Sequence, residues 1–254
     1  MVEVDKVSKL YRGDGRKALA HAVLGRLLGG KRPYQENWAL REVSFSVMRG
    51  ESLGVVGGNG AGKSTLLKIV AGIATQTSGT VRVRGAIASQ LAAGAGFHPY
   101  LTGRENVFLQ GTVLGMTNAK IRTILARVVE FAGLDGAIDR PLWTYSSGMV
   151  ARLGFAVAAH ADFDLLLLDE ALSSGDHRFR ELCTGALQEI RSSGATMIIV
   201  SHGSENLSAL CDRVMWLEGG TMRALGPSAE VLNHYQRALS DGRNNAKTRA
   251  AQSS

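Results

Sequence analysis

The chain has 254 residues, 45% of them hydrophobic and 20% charged, a balance that excludes a disordered chain, a coiled coil and a collagen. The length allows one large domain or two small ones, and the formal net charge of +7 suits a polyanionic ligand, nucleic acid or a membrane surface without choosing among them. With 31 glycines against 4 prolines, the composition fits the tight turns of an α/β protein better than a proline-rich linker. Cys183 and Cys211 are too few for a disulfide framework, and Cys183 falls on an apolar helical stripe, as a reduced core residue would. No apolar run approaches the roughly 18 residues that span a bilayer. Glu3 and Asp5 stand where a signal peptide would be hydrophobic. The expected place is the cytoplasm, or the cytoplasmic face of a membrane reached through a partner.

In chain order, the segment 12–38 reads as an insertion. Its Ala20, Val23, Leu24, Leu27 and Leu28 fall on one helical face, which either packs on the body or touches lipid headgroups or a membrane partner. Alternation predicts a strand at 43–48, and a second strand at 51–56 runs into glycines. A helix is expected over 62–72, and strands at 80–84 and 87–91. The pattern then turns helical, with helices at 102–115, 118–132 and 149–159, which together read as an all-helical insertion of about 97–159. The continuous apolar run 163–169 ends in carboxylates, as a buried parallel strand does. Phe179, Leu182, Cys183, Ala186, Leu187 and Ile190 recur at helical spacing, and 195–201 is the next buried strand. Gly219-Gly220 joins two short strands as a hairpin, and a helix follows over 228–239. Residues 240–254 are polar and read as a disordered tail. The folded domain therefore spans 1–239, with no internal repeat.

Gly57-Gly58-Asn59-Gly60-Ala61-Gly62-Lys63-Ser64, followed by Thr65, fits the phosphate-loop pattern G-x-x-x-x-G-K-[ST]. Each part has a reason. Glycines let successive N–H groups point at phosphates, and the helix that follows presents its positive end. Lys63 reaches the β- and γ-phosphates, and the Ser64 hydroxyl is offered to Mg²⁺. Leu165 to Leu168 followed by Asp169-Glu170 supplies the complement. A buried strand delivers carboxylates to its C-terminal edge, where open α/β sheets bind ligands. Asp169 is then placed to hold Mg²⁺, directly or through water, and Glu170 to polarise the attacking water.

Two further stretches identify the chain as a member of the ABC ATPase family. Tyr145-Ser146-Ser147-Gly148-Met149 opens a helix about twenty residues before Asp169 and resembles the ABC signature, whose usual form is Leu-Ser-Gly-Gly-Gln. Ser201-His202 ends the next strand, where such proteins carry a switch histidine. The stretch Gly94-Ala95-Gly96-Phe97-His98-Pro99-Tyr100-Leu101-Thr102-Gly103-Arg104-Glu105-Asn106 and the Ser-Ser-Gly-Met signature resemble the polysaccharide-export branch, which moves O-antigen, capsule, teichoic acid or galactan.

The resemblance implies a P-loop NTPase fold with a RecA-like core, an antiparallel β-subdomain and an inserted helical subdomain. It implies two copies packed head to tail with ATP and Mg²⁺ between them. Ser146, Ser147, Gly148 and Met149 of one copy would then meet the γ-phosphate held by Lys63 of the other. By the same resemblance His202 contacts that phosphate, Tyr11 stacks on adenine with Trp38 as a rival, and Asp176 crosses to the second copy. The partners implied are that second copy, a transmembrane permease and a lipid-linked glycan as cargo, with no nucleic acid and a peripheral place on the cytoplasmic face of the membrane. There are departures. The place of the usual metal-touching glutamine falls near Ala92 and Ala93, with Gln90 close but out of register, and Ser174 replaces a commoner residue. A lipid or drug exporter of the same architecture, or a soluble ABC protein on ribosomes or DNA, are the competing readings.

Overall fold

A computed structural model of the chain describes residues 2–11, 36–90, 96–169, 177–201 and 204–252. Two sheets carry the fold. The smaller is antiparallel, with β1 (Val2–Tyr11) between β2 (Asn37–Val47) and β4 (Ser78–Val83). Sequence reasoning did not find β1, and the reason is local. Val2 and Val4 alternate inward, then Lys6 takes a positive φ of 45° and the register slips before Val7. A bulge of this kind interrupts the period of two on which strand recognition depends. Strand β2 starts at Asn37, earlier than the expected residue 43, so 37 and 38 belong to the sheet and not to the insertion. Residues 12–35 of that insertion lie outside the described residues.

The larger sheet has the order β5-β6-β7-β3-β8-β9. Its members are β3 (Ser52–Val56), β5 (Ile87–Gln90), β6 (Leu165–Asp169), β7 (Thr196–Val200), β8 (Arg213–Glu218) and β9 (Thr221–Pro227). All neighbours run parallel except β9, which closes one edge antiparallel to β8. Every residue of β3 and β7 is buried, as near-continuous apolar strands in the middle of a parallel sheet must be.

Helix α1 (Lys63–Val70) packs between the two sheets: Leu66, Leu67, Ile69 and Val70 join Val2, Val43, Leu53 and Ile198 in one core. The opposite face is covered by α5 (His177–Ser192), α6 (Ser204–Leu210) and α7 (Ser228–Gln252), through Phe179, Leu187, Leu207 and Val231 among others. Cys183 and Cys211 sit in this second core, where burial pushes both thiols up to about 12, so they stay protonated and inert.

Between β5 and β6 the chain builds a helical lobe of α2 (Gly103–Val113), α3 (Asn118–Ala132) and α4 (Ser147–Ala159) around its own core of Val107, Ile121, Ile124, Val128 and Leu153. Thr102 and Glu105 form a reciprocal capping box that starts α2, which holds the Glu105 carboxyl below its usual range. Two helix bounds differ from expectation. Helix α4 starts at Ser147 and not 149, because Ser146 is its cap. Helix α7 runs to Gln252, into the stretch 240–254 expected to be a disordered tail. That stretch has no proline and repeats good helix formers such as Ala246, Lys247, Arg249, Ala250 and Ala251, so its polarity misled the reading of its backbone. No described helix is long and apolar enough to cross a membrane.

Candidate functional site

The phosphate loop leaves the C-terminal end of β3 and is shaped from behind. Gly57 has φ 153°, and a Cβ there would strike the Leu217 carbonyl at the end of β8. Gly62 has φ 103°, and its Cβ would strike the Ala39 carbonyl of β2. Only glycine fits both the torsion and the space at these two positions. The Gly220 N–H donates to the Ala61 carbonyl at 3.2 Å, and the Arg41 N–H donates to the Gly220 carbonyl at 2.8 Å. The loop is thus backed by both sheets at once. Gly219-Gly220 carries a hairpin signal and no direct signal of this backing.

Helix α1 starts at Gly62 without a side-chain cap and has no acidic residue in its first turn. Its first N–H groups and positive dipole end are therefore offered to an anion. Lys63 is 5% exposed, and its ammonium folds back over the loop, donating to the carbonyls of Gly57 at 2.8 Å and Gly58 at 3.1 Å. A buried cation held above exposed Gly58, Asn59 and Gly60 gives the loop a fixed positive focus. Ser64 and Thr65 follow in the first turn of α1, both half-buried.

Parallel register brings the second group of residues to the same edge. Asp169 is level with Val200, and Val200 with Val55. At about 4.8 Å per strand, the Asp169 strand end lies roughly 10 Å across the sheet from the phosphate-loop strand. Ser201, which follows β7, is buried and donates its N–H to the Val55 carbonyl at 3.4 Å. Ser64 and Asp169 thus stand at the same edge of the sheet. Among the described residues no group of three His, Cys, Asp or Glu could hold a metal. One hydroxyl and one carboxylate, completed by phosphate and water, is the donor set that Mg²⁺ accepts. Glu170, Asp176 and His202 lie outside the described residues, as do Ala92 and Ala93.

The signature residues sit on the helical lobe. Ser146 is the N-cap of α4, and its Oγ accepts from the Met149 N–H at 3.2 Å. Ser146 and Ser147 are exposed, and Gly148 and Met149 half-buried. Behind them Tyr145 is buried and donates its hydroxyl to the Ala137 carbonyl at 2.7 Å, which fixes the helix start. Ser146 thus serves as a cap and still presents its oxygen outward.

The two candidate adenine stackers lie at one end of the smaller sheet, where β1 ends against the start of β2. Tyr11 is the last residue of β1, opposite Asn37, with 42% of its surface exposed and the Lys9 ammonium 5.0 Å from its ring centre. Trp38 is half-buried next to Ala39, with Arg41 5.8 Å from its ring and its Nε1 donating to Glu36 at 3.2 Å. Tyr11 has the more exposed ring. Gln90, by contrast, turns away from the nucleotide edge: its Nε2 donates to the Ala151 carbonyl of α4.

The family model described as ABC transporter matches residues 40–173. Among curated relatives, the O-antigen export system ATP-binding protein RfbB of Klebsiella pneumoniae is 41% identical over 201 residues, 79% of this chain and 82% of the relative. RfbB of Myxococcus xanthus is 41% identical over 85% of this chain and 50% of its own length. The teichoic acids export ATP-binding protein TagH of Levilactobacillus brevis is 43% identical over 78% of this chain and 55% of its own. Among solved structures, the dimeric ATP-binding cassette MJ0796 bound to ADP and Pi superposes with a TM-score of 0.73 at 21% identity, covering 90% of this chain and 99% of that one. This likeness carries the fold.

Proposed function

The chain belongs to the ABC transporter family and is its ATP-hydrolysing part, and from that premise we propose that it powers export of a lipid-linked polysaccharide through a separate transmembrane subunit. The observation that carries this reading is the 41% identity across 82% of an O-antigen export ATP-binding protein. The cargo class is O-antigen, galactan, capsule or teichoic acid. The chain works at the cytoplasmic face of the membrane, held there by its partner.

In this reading the phosphate loop and the positive end of α1 hold the triphosphate of ATP. Lys63 exchanges its two loop carbonyls for β- and γ-oxygens as the nucleotide arrives. Ser64 and Asp169 would hold Mg²⁺, which would supply charge neutralisation. Tyr11 stacks on the adenine. A second copy then closes on the first: its Ser146, Ser147, Gly148 and Met149 meet the γ-phosphate, and Asp176 crosses between copies. Glu170 polarises the attacking water and His202 orients it. Catalysis of this kind is positioning and charge stabilisation, with no covalent work for the protein. The closing motion moves the helical lobes and, through them, the membrane subunit.

Depletion of the protein in its native cell tests the cargo. Labelled sugar is followed through the lipid-linked pool and onto the surface. Polymer accumulating inside while surface polymer falls is the expected result, and the trapped glycan names the cargo. Unchanged surface polymer would overturn the export of a glycan and leave a lipid or drug exporter as the reading.

A further inference from the structure

Gln90 ends β5, is 7% exposed, and reaches into the helical lobe. Its Nε2 donates to the Ala151 carbonyl of α4 at 3.2 Å. The amide fits because residue 154 is glycine: a Cβ there would come within 3.1 Å of Nε2. The ring of Phe97 closes the same space, 3.8 Å from that Cβ position.

This contact is a poor way to gain stability. A carbonyl inside a helix already accepts from the N–H four residues on, so Ala151 does not need the amide. The other end of the side chain, Oε1, is buried with no hydrogen-bond partner. An apolar side chain of the same size would remove that burden. The amide therefore invites an explanation other than core packing.

Its position supplies one. Ala151 lies on the second turn of the helix that Ser146 caps. The same stretch is held from the other side: Phe155 packs edge-on against Phe179 at 6.2 Å, and Arg152 stands 5.9 Å from that ring. Phe179 opens α5, the helix that follows the β6 carboxylates. Helix α4 is thus gripped at one turn by two elements of the nucleotide-binding sheet layer, one polar and one aromatic. The aromatic grip joins side chain to side chain, whereas the 3.2 Å hydrogen bond ties a backbone atom of α4 directly to the end of β5.

We propose that Gln90 is a positioning residue for ATP hydrolysis, its amide setting the angle at which α4 presents Ser146 to the nucleotide of a second copy. The inference rests on the paired-copy reading given above. It is chemically distinct from metal contact, because the amide faces α4.

The test uses the full chain with ATP and Mg²⁺ and four variants: Gln90→Leu, Gln90→Ala, Gly154→Ala, and the last two combined. Gln90→Leu is expected to keep or raise the melting temperature, to bind nucleotide within about twofold of wild type, and to lower kcat about tenfold with KM little changed. Gly154→Ala should lower kcat in the same direction but less, because its methyl, 3.1 Å from Nε2, displaces the amide on Ala151 by a few tenths of an ångström. In the Gln90→Ala background the same methyl should cost nothing further, since one contact cannot be lost twice. Wild-type kcat in Gln90→Leu would overturn the proposal. So would a melting temperature that falls in step with kcat, which makes Gln90 a packing residue, or a matching loss of nucleotide affinity, which puts it at the nucleotide edge. If Gln90→Leu does not fold, Gln90→Ala takes its place, and wild-type turnover there overturns the idea. A wild-type chain without ATP turnover would instead be the failure of the functional reading, visible before any variant is made.

Discussion

The phosphate loop and the signature turn are both helix starts, yet they are built in opposite ways. The loop at Gly57–Lys63 has no side-chain cap, and two of its glycines are pressed against backbone carbonyls of other strands. Its ammonium is buried. The turn at Ser146 is capped by its own hydroxyl, is exposed, and rests on a buried tyrosine. In the proposed reading the first must hold a triphosphate alone, and it is prebuilt and over-determined. In the same reading the second acts only when another copy arrives, and it is finished locally and left open. The contrast teaches which variants should damage one chain and which should damage only a pair.

The largest effect should come from Lys63→Ala. Removing the buried ammonium is expected to lower ATP turnover by at least about 100-fold, read in a steady-state phosphate-release assay. Turnover within a few-fold of wild type would mean that the loop's N–H groups suffice and that the prebuilt side of the comparison is overstated. Next comes Gly62→Ala, which must move the Ala39 carbonyl and adopt φ 103° with a side chain. We expect a loss of about 2–4 kcal/mol in thermal or denaturant unfolding, together with weak nucleotide binding. A smaller sign of the same contrast is Ser146→Ala. It should cost about 1 kcal/mol as a lost cap and leave nucleotide affinity of the single chain unchanged. ATP-driven pairing, followed by light scattering, should fall sharply; pairing at the wild-type level would reduce Ser146 to a cap. Thr117→Ala is the control. It removes only the cap of α3, so about 1 kcal/mol of stability should go with no change in turnover per folded molecule.

Much of this was legible in the residues, and for physical reasons. Buried parallel strands such as β6 and β7 are unbroken apolar runs, so periodicity and length identify them. The phosphate loop was legible because its chemistry needs a fixed set of residue types at fixed spacing. Strand β1 was not, since the bulge at Lys6 breaks the alternation. The seven-residue helix α6 is too short to display a helical face. The end of α7 is hard to read because its polar composition resembles a tail while its backbone propensity favours helix. The partners of Gly57 and Gly62, Leu217 and Ala39, were beyond reach for a different reason. They are carbonyls, and a carbonyl has the same identity at every position in a chain.

That last feature bears on portability. The phosphate loop is often treated as a cassette that could be moved between scaffolds by copying eight residues. Here its shape is a mould with two halves, one contributed by β2 and one by the end of β8. Transplanting the eight residues without those walls would carry the letters and lose the form. For an engineer, the smallest transferable unit of this chain is therefore both sheets together.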